Sequence, residues 1–361
     1  MKILVMKFLH IGDTLLTTPL LRNLRLNFPD AQIDMALNAG TEALLRYNPD
    51  ISNLYIYNRP RIKNLPLPIR LKEEWEFVSQ FRKKYDIVIN TTPGERGAII
   101  AKISGADIRV GLPPKKGLFR RVYNFPLPRQ SLRHTLETNL DPLRTLGGEV
   151  YEKRVYLHWS REAEERVNQL DLPRRFVHLH PVSRWMFKSI PVEIGAKIVE
   201  FIGEKLGIPV VVTSAPEKRE LEHLQKLEEM VAQKGGELIN LGGQLGLEEV
   251  AYLNSQALFF VGADTGVMHI SAGNDTPTFA IFGPSGAFHW GPWDNRLMES
   301  GYTRHRGIQK MGRHLVYQLD WECIPCGKDG CNGSKKSECL LQIPIGDLLE
   351  QLERWWEGVL K

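Results

Sequence analysis

The 361-residue sequence lacks an apolar run long enough to cross a bilayer, and it has no low-complexity tract. The apolar start, residues 3–6, is too short for a signal peptide and is followed by the charges of Lys7 and Asp13. We therefore expect a cytoplasmic protein. A content of 42% apolar and 25% charged residues is typical of a soluble globular chain, and the length is sufficient for two domains.

Acidic residues are missing from two stretches of the first half. Residues 51–72 contain five Lys or Arg side chains, residues 108–136 contain seven, and neither stretch contains Asp or Glu. The formal net charge of the chain is only +5, so this clustering is more informative than the total. Basic stretches of this kind favour an anionic ligand or an anionic membrane surface. Ordinary solvated loops are the alternative.

Two motifs of nucleotide-binding enzymes are also missing. The turn after the first predicted strand, residues 10–13, lacks the G-x-G-x-x-G spacing of dinucleotide-binding folds, which argues against a nicotinamide or flavin enzyme. No D-x-D pair stands at the turns that follow the predicted strands, so a diphosphate-bound metal ion is not indicated.

Cysteine is confined to a short Gly- and Lys-rich segment, where it occupies Cys323, Cys326, Cys331 and Cys339. Four thiols so close together in a cytoplasmic chain suggest a structural zinc site. The spacing is not that of paired C-x-x-C motifs, so a disulfide pair or reduced thiols are alternatives.

Strands and helices alternate in two similar halves. The first half has predicted strands at residues 3–7, 32–37 and 86–90, and the second at 176–180, 208–213, 237–241, 257–261 and 278–282. Such alternation predicts α/β domains with parallel sheets, one over residues 1–160 and one over 161–340. The last segment, 341–361, is predicted to form an amphipathic helix that packs back toward the first domain through Trp355 and Trp356.

Connecting segments of the first half are predicted to be irregular. The Pro- and Arg-rich spans 57–71 and 111–129 are expected to be surface loops, and loops of this length are commonly functional. Pro19 fits the first turn of a helix, which makes residues 13–18 a loop or irregular turn.

The residues best suited to chemistry follow predicted strands. The turn Asp264–Thr265–Gly266 opens a helix whose first N–H groups would favour an anion, although a plain N-cap is the alternative. Ser183 and Lys188 follow another strand and supply a hydroxyl and a cation suited to phosphate.

Two carboxylates complete this set of candidates. Glu217 suits a ribose diol, or is simply an acid at a helix start. Asp13 is the only carboxylate at its turn in the first half. A base on one domain, with a cation and a helix N-terminus on the other, is what transfer from a diphosphate-activated sugar requires.

Three motifs carry a family resemblance: KFLHIGDTLLTTP, HPVSRWMFK and VGADTGVMHISAGNDTPTFAIFGPS. Nearly end to end, the chain resembles the ADP-heptose:lipopolysaccharide heptosyltransferases, glycosyltransferase family 9. The pattern S-R-x-x-F-K together with FHWGPW looks most like the heptosyltransferase III branch. The resemblance implies a GT-B fold of two Rossmann-like domains facing a central cleft. It also implies inverting transfer of heptose from ADP-heptose to the inner core of lipopolysaccharide, with no metal or cofactor in the site.

The resemblance also implies roles for individual residues. Asp13 matches the general base, and Lys188 stabilises the leaving ADP. The donor would be bound by Ser183, Lys188, Glu217, Gln244, Leu245, Asp264, Thr265, Gly266 and His269, with Glu217 at the ribose, the Gln244–Leu245 turn at the adenine and Asp264 near the heptose hydroxyls. His269 is equally consistent with a buried structural histidine.

The acceptor implied by the resemblance is a phosphorylated lipopolysaccharide core at the inner face of the inner membrane. Its binding residues would be Gly12, Lys115, Lys116, Arg120 and Arg121, the basic ones meeting phosphates or anionic headgroups. No nucleic acid partner is expected. The rival interpretations are a GT-B enzyme with another donor, such as a UDP-sugar, or another acceptor, and a non-catalytic protein that binds sugar nucleotides or lipopolysaccharide.

Overall fold

A computed structural model describes residues 1–115, 117–128 and 133–360 of the chain, which divides into two compact units. The units are Met1–His158 and Trp159–Lys361, whereas the sequence had placed the division near residue 160. Lys116, one of the basic residues assigned to the acceptor, lies outside the described residues.

The first unit is a parallel sheet with helical connections. Its strands lie in the order β3-β2-β1-β4-β5-β6. The elements are β1 (Lys2–Lys7), α1 (Ile11–Leu15), α2 (Thr18–Asn27), β2 (Gln32–Asn38), β3 (Asn53–Tyr57), α3 (Arg59–Lys63), α4 (Leu67–Ser79), β4 (Ile87–Asn90), α5 (Glu95–Ile103), β5 (Ile108–Gly111), β6 (Phe125–Pro126), α6 (Thr135–Asn139) and α7 (Asp141–Thr145), with 3-10 turns at Ala43–Leu45 and Leu118–Arg121. The central strands are apolar because both faces of the sheet are covered.

Three connections in this unit differ from the sequence prediction. The span 57–71, expected to be a loop, contains α3 and the start of α4, and each of these helices has a proline in its first turn. Proline is tolerated there because the first helical N–H groups have no partner in the helix. The irregular part of residues 13–18 is limited to a turn at Leu16 and Thr17, since α1 runs through Leu15 and α2 starts at Thr18. The span 111–129 includes a 3-10 turn and β6.

The second unit repeats the plan with a larger sheet, in the order β12-β13-β11-β10-β7-β8-β9, parallel except for the β12–β13 hairpin. Its elements are α8 (Arg161–Asn168), β7 (Val177–His180), α9 (Val192–Leu206), β8 (Val210–Val212), α10 (Lys218–Ala232), β9 (Ile239–Asn240), α11 (Leu247–Gln256), β10 (Phe259–Ala263), α12 (Gly266–Gly273), β11 (Thr278–Ile281), α13 (Ala287–Trp290), β12 (Gln309–Met311), β13 (His314–Tyr317), α14 (Glu338–Leu341) and α15 (Ile345–Val359), with 3-10 turns at Met186–Lys188 and Cys331–Gly333.

The last helix, α15, completes the core of the second unit. Its Trp355 and Trp356 rings lie 5.6 and 4.4 Å from the ring of Phe259 on β10. The two aromatic side chains that suggested packing toward the first domain are therefore buried within their own unit. Among the described residues, every helix is too short or too polar to span a membrane.

Candidate active site

In the second unit, the turns predicted to bind a donor follow four neighbouring strands. β9, β8, β7 and β10 lie side by side and run parallel, so the turns after them share one edge of the sheet. Ligands of open α/β sheets bind at this carboxyl edge. The sheet order therefore brings the turns carrying Gln244, Glu217, Ser183 with Lys188, and Asp264 to the same side of this unit.

Lys188 and Asp264 form an ion pair at this edge. The Nζ atom of Lys188 donates to Oδ2 of Asp264 at 2.7 Å, and Asp264 is only 8% exposed. An ammonium has three N–H donors, so the pair leaves donors of Lys188 that a phosphate oxygen can accept. The sequence predicted both residues for the donor site, and the structure adds that they are paired.

The loop that carries Lys188 is fixed by its own hydrogen bonds. The backbone N–H of Lys188 donates to the carbonyl of Trp185 at 2.7 Å, and the N–H of Ile190 donates to the carbonyl of Pro181 at 2.8 Å. The buried Ser183 hydroxyl accepts the N–H of Trp185 at 3.2 Å. Ser183 thus shapes the loop and keeps its own O–H available to a ligand.

The turn after β10 presents a helix N-terminus beside this pair. Thr265 is the N-cap residue of α12 but makes no side-chain capping bond, and Gly266 is the first helical residue. The Thr265 Oγ1 atom is buried and has no hydrogen-bond partner within the described residues. A buried hydroxyl without a partner is costly, so this position favours a polar ligand. His269 is buried in the following turn of the helix.

Two further turns of the same edge contact each other. The N–H of Gly243 donates to the carbonyl of Ser214 at 3.0 Å, and Gly243 has a φ of +70°, a conformation that favours glycine. Leu245 is buried and Gln244 is exposed. This contact joins the turn predicted at the adenine to the turn that precedes Glu217, which is exposed at the start of α10.

Glu220 is a buried acid that sequence reasoning missed. Its carboxylate accepts the N–H of Ala215 at 3.0 Å, one turn into α10 from Glu217. Burial raises the pKa of Glu220, the hydrogen bond from Ala215 lowers it, and the nearby charge of Glu217 raises it. The sequence signal was an acid three residues after the predicted helix start, where acids are common. Glu220 stabilises the turn that carries Glu217.

In the first unit, Asp13 follows β1 at the carboxyl edge of the sheet. Asp13 is 9% exposed, in α1 beside the buried Gly12, and its carboxylate accepts the N–H of His10 at 3.4 Å. Lys7, at the end of β1, is 2% exposed and donates to Oδ1 of Asn139 at 3.0 Å. Burial lowers the pKa of Lys7, and the charge of Asp13 opposes that shift. The sequence analysis did not select Lys7, although a lysine inside an apolar strand was the available signal.

The basic residues assigned to the acceptor lie on the surface of the first unit. Lys115, Arg120 and Arg121 are exposed in or near the 3-10 turn after β5. A second cationic group at this edge was not predicted: Arg96, on α5, stacks over the ring of Tyr57 at 3.8 Å and donates to its hydroxyl at 2.7 Å. Burial raises the pKa of Tyr57 to about 12, and its hydrogen bond to Glu74 adds to the shift.

The cysteine segment does not have the geometry of a metal site. Within residues 1–115, 117–128 and 133–360, no group of three or more His, Cys, Asp or Glu side chains is arranged to hold a metal ion. Cys323, Cys326, Cys331 and Cys339 are all free thiols. Burial raises the pKa of Cys339 to about 12, and the negative charges of the other three add to the shift. The predicted structural zinc is therefore not supported by the arrangement of the described side chains.

Comparison with known proteins places this geometry in a family. The profile described as Glycosyltransferase family 9 (heptosyltransferase) matches residues 75–313. Lipopolysaccharide heptosyltransferase 3 of Escherichia coli is 26% identical over 297 residues, which cover 80% of this chain and 85% of that protein.

Solved structures agree on the fold. The glycosyl transferase family 9 structure from Veillonella parvula superposes with a TM-score of 0.76 at 24% identity, covering 99% of this chain and 97% of that one. The heptosyltransferase WaaC of Escherichia coli, solved with ADP, gives 0.72 at 18% identity, covering 98% and 100%. The fold is GT-B, and the chain belongs to glycosyltransferase family 9.

Proposed function

We propose that this glycosyltransferase moves a heptose from ADP-heptose to the inner core of lipopolysaccharide, with inversion, in the manner of a heptosyltransferase III. Support for the donor comes from the relatives: the WaaC structures are named as complexes with ADP and with an ADP-heptose analogue. Support for the acceptor is the similarity to lipopolysaccharide heptosyltransferase 3.

The observation that carries the proposal is the Lys188–Asp264 pair next to the unpartnered hydroxyl of Thr265 at the start of α12. When the bond from the anomeric carbon to the ADP oxygen breaks, negative charge accumulates on the diphosphate. An ammonium and a helix N-terminus, both fixed before the reaction, stabilise that charge. Asp264 holds the ammonium in place through the ion pair. Its carboxylate has further acceptor sites, which can take a hydrogen bond from a hydroxyl of the donor sugar.

Asp13 is the proposed base. Its carboxylate takes the proton of the acceptor hydroxyl while that oxygen attacks the anomeric carbon from the face opposite ADP, so one displacement inverts the configuration. The buried ammonium of Lys7 lies near this carboxylate, and the charge of Asp13 opposes the lowering of the Lys7 pKa by burial. On the donor side we assign Ser183 to the phosphates, Glu217 to the ribose, and Gln244 with Leu245 to the adenine.

The test is to incubate the protein with ADP-heptose and a series of truncated core acceptors, and to determine the linkage in the product. We expect heptose on one inner-core acceptor, with release of ADP and inverted anomeric configuration. The Asp13→Asn variant is the matched control and is expected to give no product. Transfer from a UDP-sugar but not from ADP-heptose would assign another donor. Donor binding without transfer to any acceptor would favour a non-catalytic binding protein.

A further inference from the structure

The N-terminal half of α4 projects from the first unit with an uncovered apolar face. Leu67, Leu71 and Trp75 are spaced by four residues, which places them on one side of the helix, and they are 66%, 60% and 57% exposed. The C-terminal half of α4 is packed against the unit, because Phe77 and Val78 are buried in its core. A stable helix is therefore anchored at one end and presents apolar side chains at the other.

Cations without an ion-pair partner among the described residues occur on α4 and on the preceding helix α3. Arg59, Lys63 and Arg70 are exposed and form no ion pair within the described residues. The acids of α4 are already paired: Glu73 with Arg61, Glu74 with Arg96 and Tyr57, and Glu76 with Lys72 at 3.7 Å. The unpaired charge around the apolar face is therefore positive.

A second feature of the same kind lies at the same edge of the sheet. The 3-10 turn after β5 exposes 95% of Leu118, with Lys115, Arg120 and Arg121 exposed around it. α4 follows β3, this turn follows β5, and the Asp13 turn follows β1, which lies between them in the sheet. The two apolar and basic features thus occupy the carboxyl edge on either side of the proposed base.

We propose that the exposed face of α4, formed by Leu67, Leu71 and Trp75, inserts into the interfacial region of an anionic lipid bilayer, with Leu118 as a second contact. Leucine and tryptophan bury their apolar surface at the depth of the headgroups, and the flanking arginine and lysine side chains bind lipid phosphates. A protein partner would need an apolar groove flanked by acidic groups. Any part of an anionic bilayer offers an apolar interior beneath negatively charged headgroups.

This inference deepens the proposed function and rests on it in one respect. The proposed acceptor is linked to lipid, which gives the enzyme a reason to bind a membrane. The surface holds the first unit so that the edge bearing Asp13 faces the bilayer where such an acceptor is anchored. Leu67 and Leu71 are mostly exposed and have no proposed role in binding the donor or the acceptor sugar, so their loss should affect docking alone.

The test is flotation of the full chain with vesicles of phosphatidylcholine, alone or with about 30% phosphatidylglycerol to supply a negative surface potential. We expect binding to the anionic vesicles that is at least about tenfold weaker for Leu67→Ser/Leu71→Ser. Leu341→Ser, a change at a leucine of the second unit that is 49% exposed, is the matched control and should bind like the wild type. Quenching by brominated lipid should affect the wild type and be reduced in Trp75→Phe.

Equal vesicle binding by Leu67→Ser/Leu71→Ser and the wild type would overturn the proposal. So would a wild-type dimer in light scattering that becomes monomeric in the double variant, because the face would then join two copies of this chain. Transfer to a lipid-free core acceptor separates the two ideas. With that acceptor, the double variant should keep full activity. If the wild type bound vesicles but transferred no sugar, the proposed function would be rejected and the proposed membrane-binding surface would be retained.

Discussion

Lys188 offers the sharpest test at the scale of a single residue. We expect Lys188→Ala to lower turnover by about 10²–10³, the usual effect of removing one fixed donor from a developing charge. The substitution also leaves the buried carboxylate of Asp264 without its partner at 2.7 Å. Steady-state kinetics and urea unfolding should therefore be measured together, with Lys188→Ala/Asp264→Asn as the control that removes both charges. Wild-type turnover in Lys188→Ala would reject the role of Lys188.

Asp13 is the second residue whose role can be isolated. Asp13→Asn keeps the size of the side chain and its acceptor for the His10 N–H but removes the base, so transfer should fall at least about 10²-fold. ADP affinity, measured by calorimetry, should stay within about twofold because the assigned donor residues lie in the other unit. A comparable loss of ADP affinity would contradict the assignment. Urea unfolding is needed as a control, since the buried Lys7 loses an attracting charge.

Candidate residues could be selected from the sequence, whereas their pairing and burial could not. Lys188 and Asp264 each stand after an apolar run, which was enough to select them, but 76 residues separate them and only the adjacency of β7 and β10 brings them together. Lys7 and Glu220 were not predicted as site residues. Both follow ordinary local patterns, and it is tertiary packing that buries them.

At the scale of elements, β7 and β8 are joined by a buried histidine network that makes stability depend on pH. His178 and His180 both hydrogen-bond to the Thr213 hydroxyl, at 2.7 and 2.9 Å. Burial lowers the pKa of His180 to about 4 and that of His178 well below its usual 6.5. The unfolded chain therefore binds protons that the folded chain does not, and this begins as the pH falls through about 6.5.

The free energy of unfolding should consequently fall between pH 6.5 and 4, by up to about 1.4 kcal/mol per pH unit for each histidine. Urea unfolding followed by circular dichroism at several pH values measures this slope. His180→Asn removes one titrating group, so its stability should be lower at pH 7 but change less between pH 7 and 5. A slope unchanged in this variant would exclude His180 as a source of the acid sensitivity.

The 3-10 turn after β5 has an expected role at the same scale. Arg120 and Arg121 are exposed on it, so Arg120→Glu/Arg121→Glu should leave folding intact and raise the KM for a phosphorylated acceptor by about tenfold or more. The KM for ADP-heptose serves as the internal control and should not change. An unchanged acceptor KM would exclude these arginines from binding the acceptor.

Helix α4 shows where local patterns mislead. Its first turns are rich in Pro, Arg and exposed apolar residues, a composition that resembles a surface loop, and only Phe77 and Val78 anchor it to the core. Apolar residues occur both on the exposed side, at Leu67, Leu71 and Trp75, and on the buried side, at Phe77 and Val78, so no single apolar stripe marks the helix. Helix α15, which buries an apolar face, lies within the segment 341–361 that the sequence predicted to be an amphipathic helix.

At the scale of the whole molecule, the donor preference can be read from stability. A ligand at about 100 times its Kd stabilises the folded protein by about 2.7 kcal/mol, so ADP should raise the Tm measurably. UDP at the same concentration should raise it less. Lys188→Ala is the matched control and should reduce the shift with ADP. A larger shift with UDP would point to a different nucleotide-sugar donor within the same fold.

The division into two α/β units was predictable because alternation of strands and helices repeats along the chain. The β12–β13 hairpin was not, since it follows a long irregular segment and its short strands depend on neighbours for their hydrogen bonds. The Asp294 carboxylate stabilises this region by accepting the N–H groups of Arg296 and Arg313, at 3.0 and 2.8 Å. The contact between Asp294 and Arg313, 19 residues apart, leaves no local signal.

Because the turns after β9, β8, β7 and β10 share one border while β8, β7 and β10 are fully buried beneath it, the turns can change without altering the core of this half of the chain. Exchanging those short connections with a relative's should transplant its preference for an activated sugar onto an unchanged scaffold. Such enzymes would then diversify through substitutions in these connections, with little effect on the stability of the sheet that carries them.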